Sequence, residues 1–194
     1  AMLEYLNQTI NAHMITIEDP IEFIFQADKC LISQRELWGD TWSFANALRS
    51  AMREDPNIVF VWEIRDTDTA EAALNLAETG HLVFSTLHTS SASTTINRYI
   101  SLFPPEIQSN IADRLSESVS WVLSQFLVKS VDDKSRVGIY ELMLNNTAVR
   151  NNIKKWDIKG IDNMIETSST HGMISMKSYA QRLLAQGLID EKTV

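Results

Sequence analysis

The fold of this chain is decided by residues 54–89, EDPNIVFVWEIRDTDTAEAALNLAETGHLVFSTLHT. Two short apolar runs, residues 58–62 and 82–87, enclose a segment with helical spacing. Continuous apolar runs of this length are typical of strands buried on both faces of a parallel sheet. The order strand, helix, strand therefore predicts an α/β fold, a parallel sheet flanked by helices, whose ligands bind beyond the carboxyl ends of the strands.

The residues before this stretch continue the alternation. We expect a helix at the amino end, a strand over HMITIE (residues 13–18), and a short hairpin made by residues 21–25 and 30–34. Asp40 is a candidate cap for a helix over residues 41–53. Asp66 is expected to cap the helix inside the deciding stretch, and Gly80 is expected to close it.

The residues after the stretch are predicted to be mainly helical. Ser90 or Ser91 is expected to cap a helix that ends near residue 102, and residues 136–144 are read as a last strand. Apolar residues at helical spacing predict one long amphipathic helix in between: Ile107, Ile111, Leu115, Val119, Val122 and Phe126.

Beyond Asn145 the pattern is wholly helical, and the candidate caps are Thr147, Ser175 and Asp190. Gly172 and Gly187 are the expected helix breaks there. We therefore place a soft domain boundary near residue 145, between an α/β core (1–145) and a helical region (146–194).

Composition limits the classes of function. The 194 residues are 44% hydrophobic and 22% charged, enough for one good core, and the formal charge of −8 gives little electrostatic support for binding a nucleic-acid backbone. A single cysteine cannot form an internal disulfide, and no apolar run is long enough for a transmembrane segment. The chain opens in helical pattern without methionine, so we expect a fragment of a cytosolic protein cut inside or just before a helix.

Carboxylates follow two of the predicted strands. Glu63 comes directly after residues 58–62, where it could hold or deprotonate a water molecule, or simply pair with Arg65. Glu18 and Asp19 end the strand 13–18, with Glu22 nearby. Hard oxygen ligands suit Mg²⁺, usually through water, although solvated acids on a hairpin are an equally good interpretation.

Two histidines bracket the second apolar run. His81 and His88 are seven residues apart, which would place them on opposite faces of one strand, so a shared metal is not expected. Either could contact a phosphate oxygen, although a purely structural histidine is the commoner outcome. The sequence contains no GxxxxGK[ST] and no GxGxxG phosphate loop.

Four segments together resemble the secretion-type traffic ATPases, and among them the retraction ATPases of type IV pili. They are TIEDPIEF (residues 16–23), residues 34–66 from QREL to EIRD, ETGHLVFSTLHT (residues 78–89) and TAVRNNI (residues 147–153). The resemblance implies a partial RecA-like P-loop NTPase core with an α-helical carboxyl-terminal region. It further implies a homo-hexamer that binds ATP and Mg²⁺, lies in the cytoplasm at the inner membrane, docks on a pilus platform protein and drives twitching motility. No nucleic-acid partner is implied.

The resemblance also assigns roles to residues. Glu63 matches the glutamate that polarises the attacking water, and Glu18 with Asp19 matches the acidic box that helps to hold Mg²⁺. His81 and His88 match the histidine box, in which His88 would sense the γ-phosphate, and Arg65 would contact the cofactor. The motif with Arg150 and Asn151 matches one linked to retraction rather than hydrolysis. In the family a phosphate loop directly precedes a helix like the first one here, so we expect this fragment to begin just after that loop and to be inactive alone.

One departure from the family keeps other functions open. Trp62 stands directly before Glu63, where the family usually has glycine, and its ring could block or reshape a phosphate site. The alternatives are a non-hydrolysing accessory subunit of the pilus motor, another type II/IV secretion ATPase, and a RecA-type nucleic-acid translocase. The zinc-binding cysteines of assembly-type relatives are absent from the sequence, which favours the retraction branch.

Overall fold

The computed structural model describes residues 1–132, 134–169 and 172–190. The chain forms two compact units, residues 1–87 and the residues from 88 onward. Among the described residues, no helix is both long and apolar enough to cross a bilayer.

The first unit is built on a four-stranded parallel sheet. Its strands are β1 (His13–Glu18), β2 (Leu31–Glu36), β3 (Ile58–Val61) and β4 (Leu82–Ser85), in the order β2-β1-β3-β4. In the β1–β3 register Met14 lies beside Ile58 and Ile17 beside Val61. Since all four strands run in the same direction, their carboxyl ends meet along one edge of the sheet.

Three helices accompany this sheet: α1 (Met2–Thr9), α2 (Phe44–Ala51) and α3 (Thr67–Glu78). Leu3 and Leu6 of α1 pack on one face of the sheet, against a cluster that contains Met14 and Ile58. Side chains alternate along a strand, so the fully buried Ile17 points to the face away from α1. The helices α2 and α3 pack against each other and against the sheet.

The second unit combines an antiparallel strand pair with five helices. Strands β5 (Trp121–Lys129) and β6 (Arg136–Leu144) pair along their full length. The helices are α4 (Ala92–Ser101), α5 (Gln108–Ser118), α6 (Thr147–Lys154), α7 (Ile158–Thr167) and α8 (Met176–Ala185). The unit keeps residues 147–185 together with β5 and β6, so the domain boundary near residue 145 stays a prediction.

The predicted hairpin of residues 21–25 and 30–34 is wrong. Strand β2 pairs in parallel with β1 instead, and residues 21–25 form no strand. The side chain of Gln34 takes the place of a strand partner, because its Oε1 accepts from the amide of Phe25 at 2.8 Å and its Nε2 donates to the carbonyl of Phe23 at 2.9 Å. A side-chain amide offers both a donor and an acceptor, which a sequence pattern does not reveal.

The predicted long helix is also wrong. Helix α5 ends at Ser118, and Val122 and Phe126 belong to β5. A spacing of four residues puts two side chains on the same side of a helix and also of a strand, so these positions fit both patterns. The run Trp121-Val122-Leu123 and its pairing with β6 decide for the strand.

The helix caps are partly as predicted. Asp66, Ser91 and Ser175 cap α3, α4 and α8 through their side chains, which confirms those three predictions. Asp40 caps no helix, because its carboxylate accepts from the amide of Glu36; Ser43 caps α2 instead.

Asn146, rather than Thr147, caps α6. The helix predicted after Asp190 lies outside the described residues. Gly80, Gly172 and Gly187 all have positive φ, as expected at breaks.

Candidate functional site

The carboxyl ends of β1 and β3 bring two glutamates to the same edge of the sheet. The amide of Trp62 donates to the carbonyl of Ile17 at 2.9 Å, which continues the parallel register past the end of β3. Trp62 therefore lies beside Glu18, and Glu63 lies one residue further along. The edge at which we expected ligands thus carries two of the predicted site residues.

Glu18 is held in place by its neighbours. The residue is only 3% exposed. Its Oε1 accepts hydrogen bonds from Thr16 Oγ1 at 2.6 Å and from Gln34 Nε2 at 3.1 Å. All three side chains point to the α1 face of the sheet, because they alternate in step along adjacent strands. Two donors on one oxygen fix the orientation of the carboxylate.

Glu63 is buried and paired with a cation. The residue is 4% exposed, and Nη2 of Arg65 lies 2.5 Å from its Oε2. The hydrogen bond to Glu63, followed by the charge of that carboxylate, raises the pKa of Arg65, and the charge of Asp19 adds in the same direction. Arg65 is thus the cation that balances the acidic residues at this edge.

The acidic residues suit Mg²⁺ only in part. Glu18 and Glu63 are buried and Asp19 is exposed, and carboxylates are the ligands that Mg²⁺ binds directly or through water. Within residues 1–132, 134–169 and 172–190, no group of three or more His, Cys, Asp or Glu side chains is arranged to hold a metal. These residues therefore do not form a complete Mg²⁺ site by themselves: Glu18 and Asp19 would orient water ligands of the ion, and its other ligands would come from elsewhere.

His81 lies at the other end of the sheet. It directly precedes β4, so in a parallel sheet it is at the amino edge, whereas Glu18 and Glu63 are at the carboxyl edge. Its Nδ1 is 3.0 Å from the carbonyl oxygen of Leu76 and 3.0 Å from Thr79 Oγ1. The structure does not bring His81 together with the two glutamates, and its predicted contact with a cofactor stays a prediction.

His88 belongs to the second unit and lines an open pocket of roughly 660 Å³. The pocket lies beside the amino end of α4, and its other lining residues are Thr89, Ser90, Thr94, Asn97, Arg98 and Phe126. Hydroxyl groups together with the charge of Arg98 suit an anionic group. Arg98 was not among the residues predicted from the sequence, although its position on α4, four residues after Thr94, places the two side chains on the same face of the helix.

Arg150 and Asn151 lie on α6. Val149 and Ile153 of this helix are buried, whereas Asn151 is exposed. Glu117 of α5 contacts two cations of α6: Arg150 Nη1 at 3.4 Å and Lys154 Nζ at 2.6 Å. The hydrogen bond from Lys154, with the charges of Arg150 and Lys154, lowers the pKa of Glu117.

Comparison with known proteins identifies the family. The model of the type II/IV secretion system protein family matches residues 1–186. A twitching motility protein of Neisseria gonorrhoeae is 48% identical over 189 residues, which are 97% of this chain and 50% of the relative. The type IV pilus retraction ATPase PilT of Pseudomonas aeruginosa is 46% identical over 99% of this chain and 56% of its own length.

A solved structure agrees with these relatives. The crystal structure of the pilus retraction motor PilT with bound ADP matches with a TM-score of 0.91 at 43% identity, and covers 99% of this chain and 54% of that one. This match confirms the predicted α/β class with a parallel sheet flanked by helices. The chain spans about half the length of the curated relatives it matches. It belongs to the type II/IV secretion system protein family.

Proposed function

We propose that the protein is the ATP-hydrolysing motor of type IV pilus retraction, acting as a ring of six copies on the cytoplasmic side of the inner membrane and docking on a platform protein. The observation that carries the proposal is the buried Glu63 at the carboxyl edge of the sheet, one residue past the position beside Glu18. A desolvated carboxylate at such an edge is suited to orient a water for attack on a phosphoryl group. The similarity to PilT supports the choice of motor.

The residues at the edge have complementary tasks in this proposal. Bound ATP with Mg²⁺ would supply the phosphoryl group and the positive charge that stabilises its transfer. Glu63 would accept a hydrogen bond from the attacking water, direct the lone pair of the water oxygen at phosphorus, and take up the proton that the water loses as the new P–O bond forms and the bond to ADP breaks. Glu18, fixed by Thr16 and Gln34, would orient water around the metal together with Asp19. Arg65 lowers the repulsion between these carboxylates.

The other predicted site residues have different tasks in this proposal. His88, with Arg98 beside it in the pocket, is assigned to sensing the γ-phosphate. We assign Arg150 and Asn151 to coupling hydrolysis to pilus movement. Asn151 is exposed on the side of α6 opposite the buried Val149 and Ile153, and Arg150 lies on the flank of the helix, where it contacts Glu117. His81 lies at the amino edge of the sheet, so it would not contact a nucleotide bound at the carboxyl edge of its own chain; it would contact only a nucleotide bound elsewhere.

Residues 1–194 are not expected to hydrolyse ATP by themselves. A phosphate loop supplies backbone N–H groups and a lysine to the β- and γ-phosphates, and GxxxxGK[ST] does not occur in this sequence. The test of the function therefore uses the full-length gene product.

The decisive substitution is Glu63→Gln in the full-length gene product. An amide cannot accept the proton of the attacking water, so we expect ATP turnover to fall by about 10²-fold or more, measured as phosphate release at saturating ATP. Nucleotide binding, measured with a fluorescent ATP analogue, should persist. Glu106→Gln is the matched control, since Glu106 is exposed and should leave turnover unchanged. Full turnover in Glu63→Gln would reject the role of Glu63.

A second candidate function is a non-hydrolysing accessory subunit of the same motor. Trp62 favours this candidate, because the residue is in register with Glu18 and its bulky ring could block or reshape a phosphate site there. Nucleotide binding without turnover by the wild-type full-length protein would select this candidate over the motor. If the full-length protein hydrolyses ATP but cells that lack the gene still retract their pili normally, the protein is another secretion ATPase of the family.

A further inference from the structure

The first unit exposes four large apolar side chains around the end of β2. Phe23 is 73% exposed, Ile24 86%, Trp38 68% and Trp42 74%; we call these four residues the aromatic surface. Single exposed apolar residues are normal on proteins, whereas several large ones on one segment mark a site of interaction. Tryptophan is also the residue type most enriched where binding energy is concentrated.

Glu36 and Gln34 of β2 tie the parts of this surface together. The amide of Ile21 donates to Glu36 Oε2 at 3.0 Å, and Gln34 Nε2 donates to the carbonyl of Phe23 at 2.9 Å, so residues 21–24 lie along β2. Trp38 follows two residues after Glu36, and its ring meets that of Trp42 edge to face at 6.3 Å. Hydrogen bonds from β2 thus hold residues 21–24 beside the strand that leads into the turn with Trp38 and Trp42.

Trp38 lies in a turn whose backbone conformation glycine would adopt more easily than tryptophan. Its φ is +68°, in the left-handed region that favours glycine, and bulky residues are rare there. The ring gains little from burial at 68% exposure. The turn is nevertheless well fixed, since the amide of Trp38 donates to the carbonyl of Thr41 at 2.7 Å. A fixed, exposed ring in a costly conformation is consistent with a role in binding.

The charges around the aromatic surface are negative. Glu22 and Asp40 are exposed. Glu36 is bonded to the neighbours of both: its carboxylate accepts from the amide of Ile21, and its own amide donates to the carboxylate of Asp40. The cation on β2, Arg35, is engaged by Glu54 at 2.5 Å, and Lys29 lies before the opposite end of the strand. A partner that fits this surface must therefore supply positive charge.

We propose that the aromatic surface binds a basic amphipathic segment of a partner protein, one that presents Lys or Arg beside apolar side chains. The apolar side chains pack on Trp38 and Trp42, and the cations lie over the indole rings or pair with Glu22 and Asp40. A two-fold symmetric contact with a second copy is disfavoured, because it would bring Glu22 and Asp40 of both copies together. A head-to-tail contact, as in a ring, is a separate outcome that the sedimentation measurement below distinguishes. The proposal does not depend on ATP hydrolysis.

The test measures by fluorescence anisotropy how tightly the full-length gene product binds a labelled amphipathic helical peptide made of Leu and Lys. A Leu/Glu peptide with the same pattern is the charge control. We expect the Leu/Lys peptide to bind and the Leu/Glu peptide not to bind. Trp38→Gly, Trp42→Ala and Glu22→Lys should each weaken binding by about tenfold. Glycine adopts a positive φ without strain, so we expect Trp38→Gly to stay folded, and a melting curve checks that weaker binding does not come from unfolding.

Two control variants separate this surface from general attraction to an acidic protein. Tyr5→Ala removes another exposed aromatic ring, and Glu106→Lys makes the same charge change elsewhere. Both should bind the Leu/Lys peptide as the wild type does. Equal loss in the control variants, or equal binding of the Leu/Glu peptide, would overturn the proposal. A change of sedimentation coefficient in Trp42→Ala with unchanged peptide binding would overturn it in favour of contact between copies.

Discussion

At the scale of single residues, Trp62 is a bulky side chain directly before the proposed catalytic Glu63. Its ring meets Phe60 edge to face at 6.4 Å, and Phe60 points to the same face of the sheet as Thr16. The ring contact therefore places the Trp62 side chain on the face of the sheet that carries Thr16 and Glu18. The tryptophan thus occupies space beside Glu18.

The substitution Trp62→Gly tests this arrangement. Removing the ring opens space beside Glu18, so in the full-length gene product we expect the KM for ATP to fall by roughly threefold to tenfold while kcat stays within about twofold. Steady-state phosphate release measures both constants. Trp62→Phe keeps a ring and should behave like the wild type. A large gain of kcat from an inactive wild type would instead identify an accessory subunit that lost turnover through this residue.

The sequence identifies which residues follow the strands, but not what fixes them. That Glu18 and Glu63 come directly after apolar runs is visible in the order of residues, and the structure places both at one edge. The donors to Glu18 are different, because Gln34 belongs to β2 and reaches Glu18 only through the parallel β1–β2 register. A register between strands separated by a loop is set by packing of the whole sheet, and no local pattern encodes it.

At the scale of elements, β5 shows where periodicity fails as a predictor and β3 shows where it succeeds. Residues 58–61 are too few for a helix and too apolar for a loop, so they could be read as a strand from sequence alone. Val119, Val122 and Phe126 continue the spacing of α5, and the end of that helix has no glycine or proline to announce it. The apolar run Trp121-Val122-Leu123 and, above all, the nine-residue pairing with β6 distinguish the two conformations.

The contact between α5 and α6 depends on pH in a defined direction. The pKa of Glu117 is lowered by Lys154 and Arg150, so its interactions stabilise the fold above the pKa of an unfolded glutamate. This contribution is lost as the pH falls through the lowered pKa of the folded state. We expect Glu117→Gln to melt at a slightly lower temperature than the wild type at pH 7, and the difference to vanish between about pH 5 and pH 3.

The size of this effect is limited by solvent, since Glu117 is half exposed. Calorimetric melting points of both proteins across the pH range provide the measurement. Glu106→Gln serves as the control, because Glu106 lies in an exposed turn and should show no pH-dependent difference from the wild type. A difference between Glu117→Gln and the wild type that grows toward acid would contradict the assignment.

At the scale of the whole molecule, the charge of residues 1–194 favours the proposed pilus motor over a nucleic-acid translocase. Seventeen Lys and Arg residues face 25 Asp and Glu residues, which leaves a net charge of −8. The most basic segment is residues 150–159, yet two of its cations, Arg150 and Lys154, contact Glu117. The part of the chain that most resembles a phosphate-binding face is thus partly neutralised by the protein itself.

We therefore expect the chain to bind neither single- nor double-stranded DNA measurably at physiological salt. Binding of proteins to DNA without sequence preference comes from cations that displace the counterions of the phosphates, with dissociation constants of about 10⁻⁴ to 10⁻⁶ M, and a surface of net negative charge should fall on the weak side of that range. Fluorescence anisotropy of labelled oligonucleotides, titrated at several salt concentrations, measures this. Lys155→Glu gives a matched control, since it removes an exposed cation of residues 150–159 and should change nothing if no DNA binds there. Micromolar binding that weakens steeply with salt and is lost in Lys155→Glu would favour the translocase over the pilus motor.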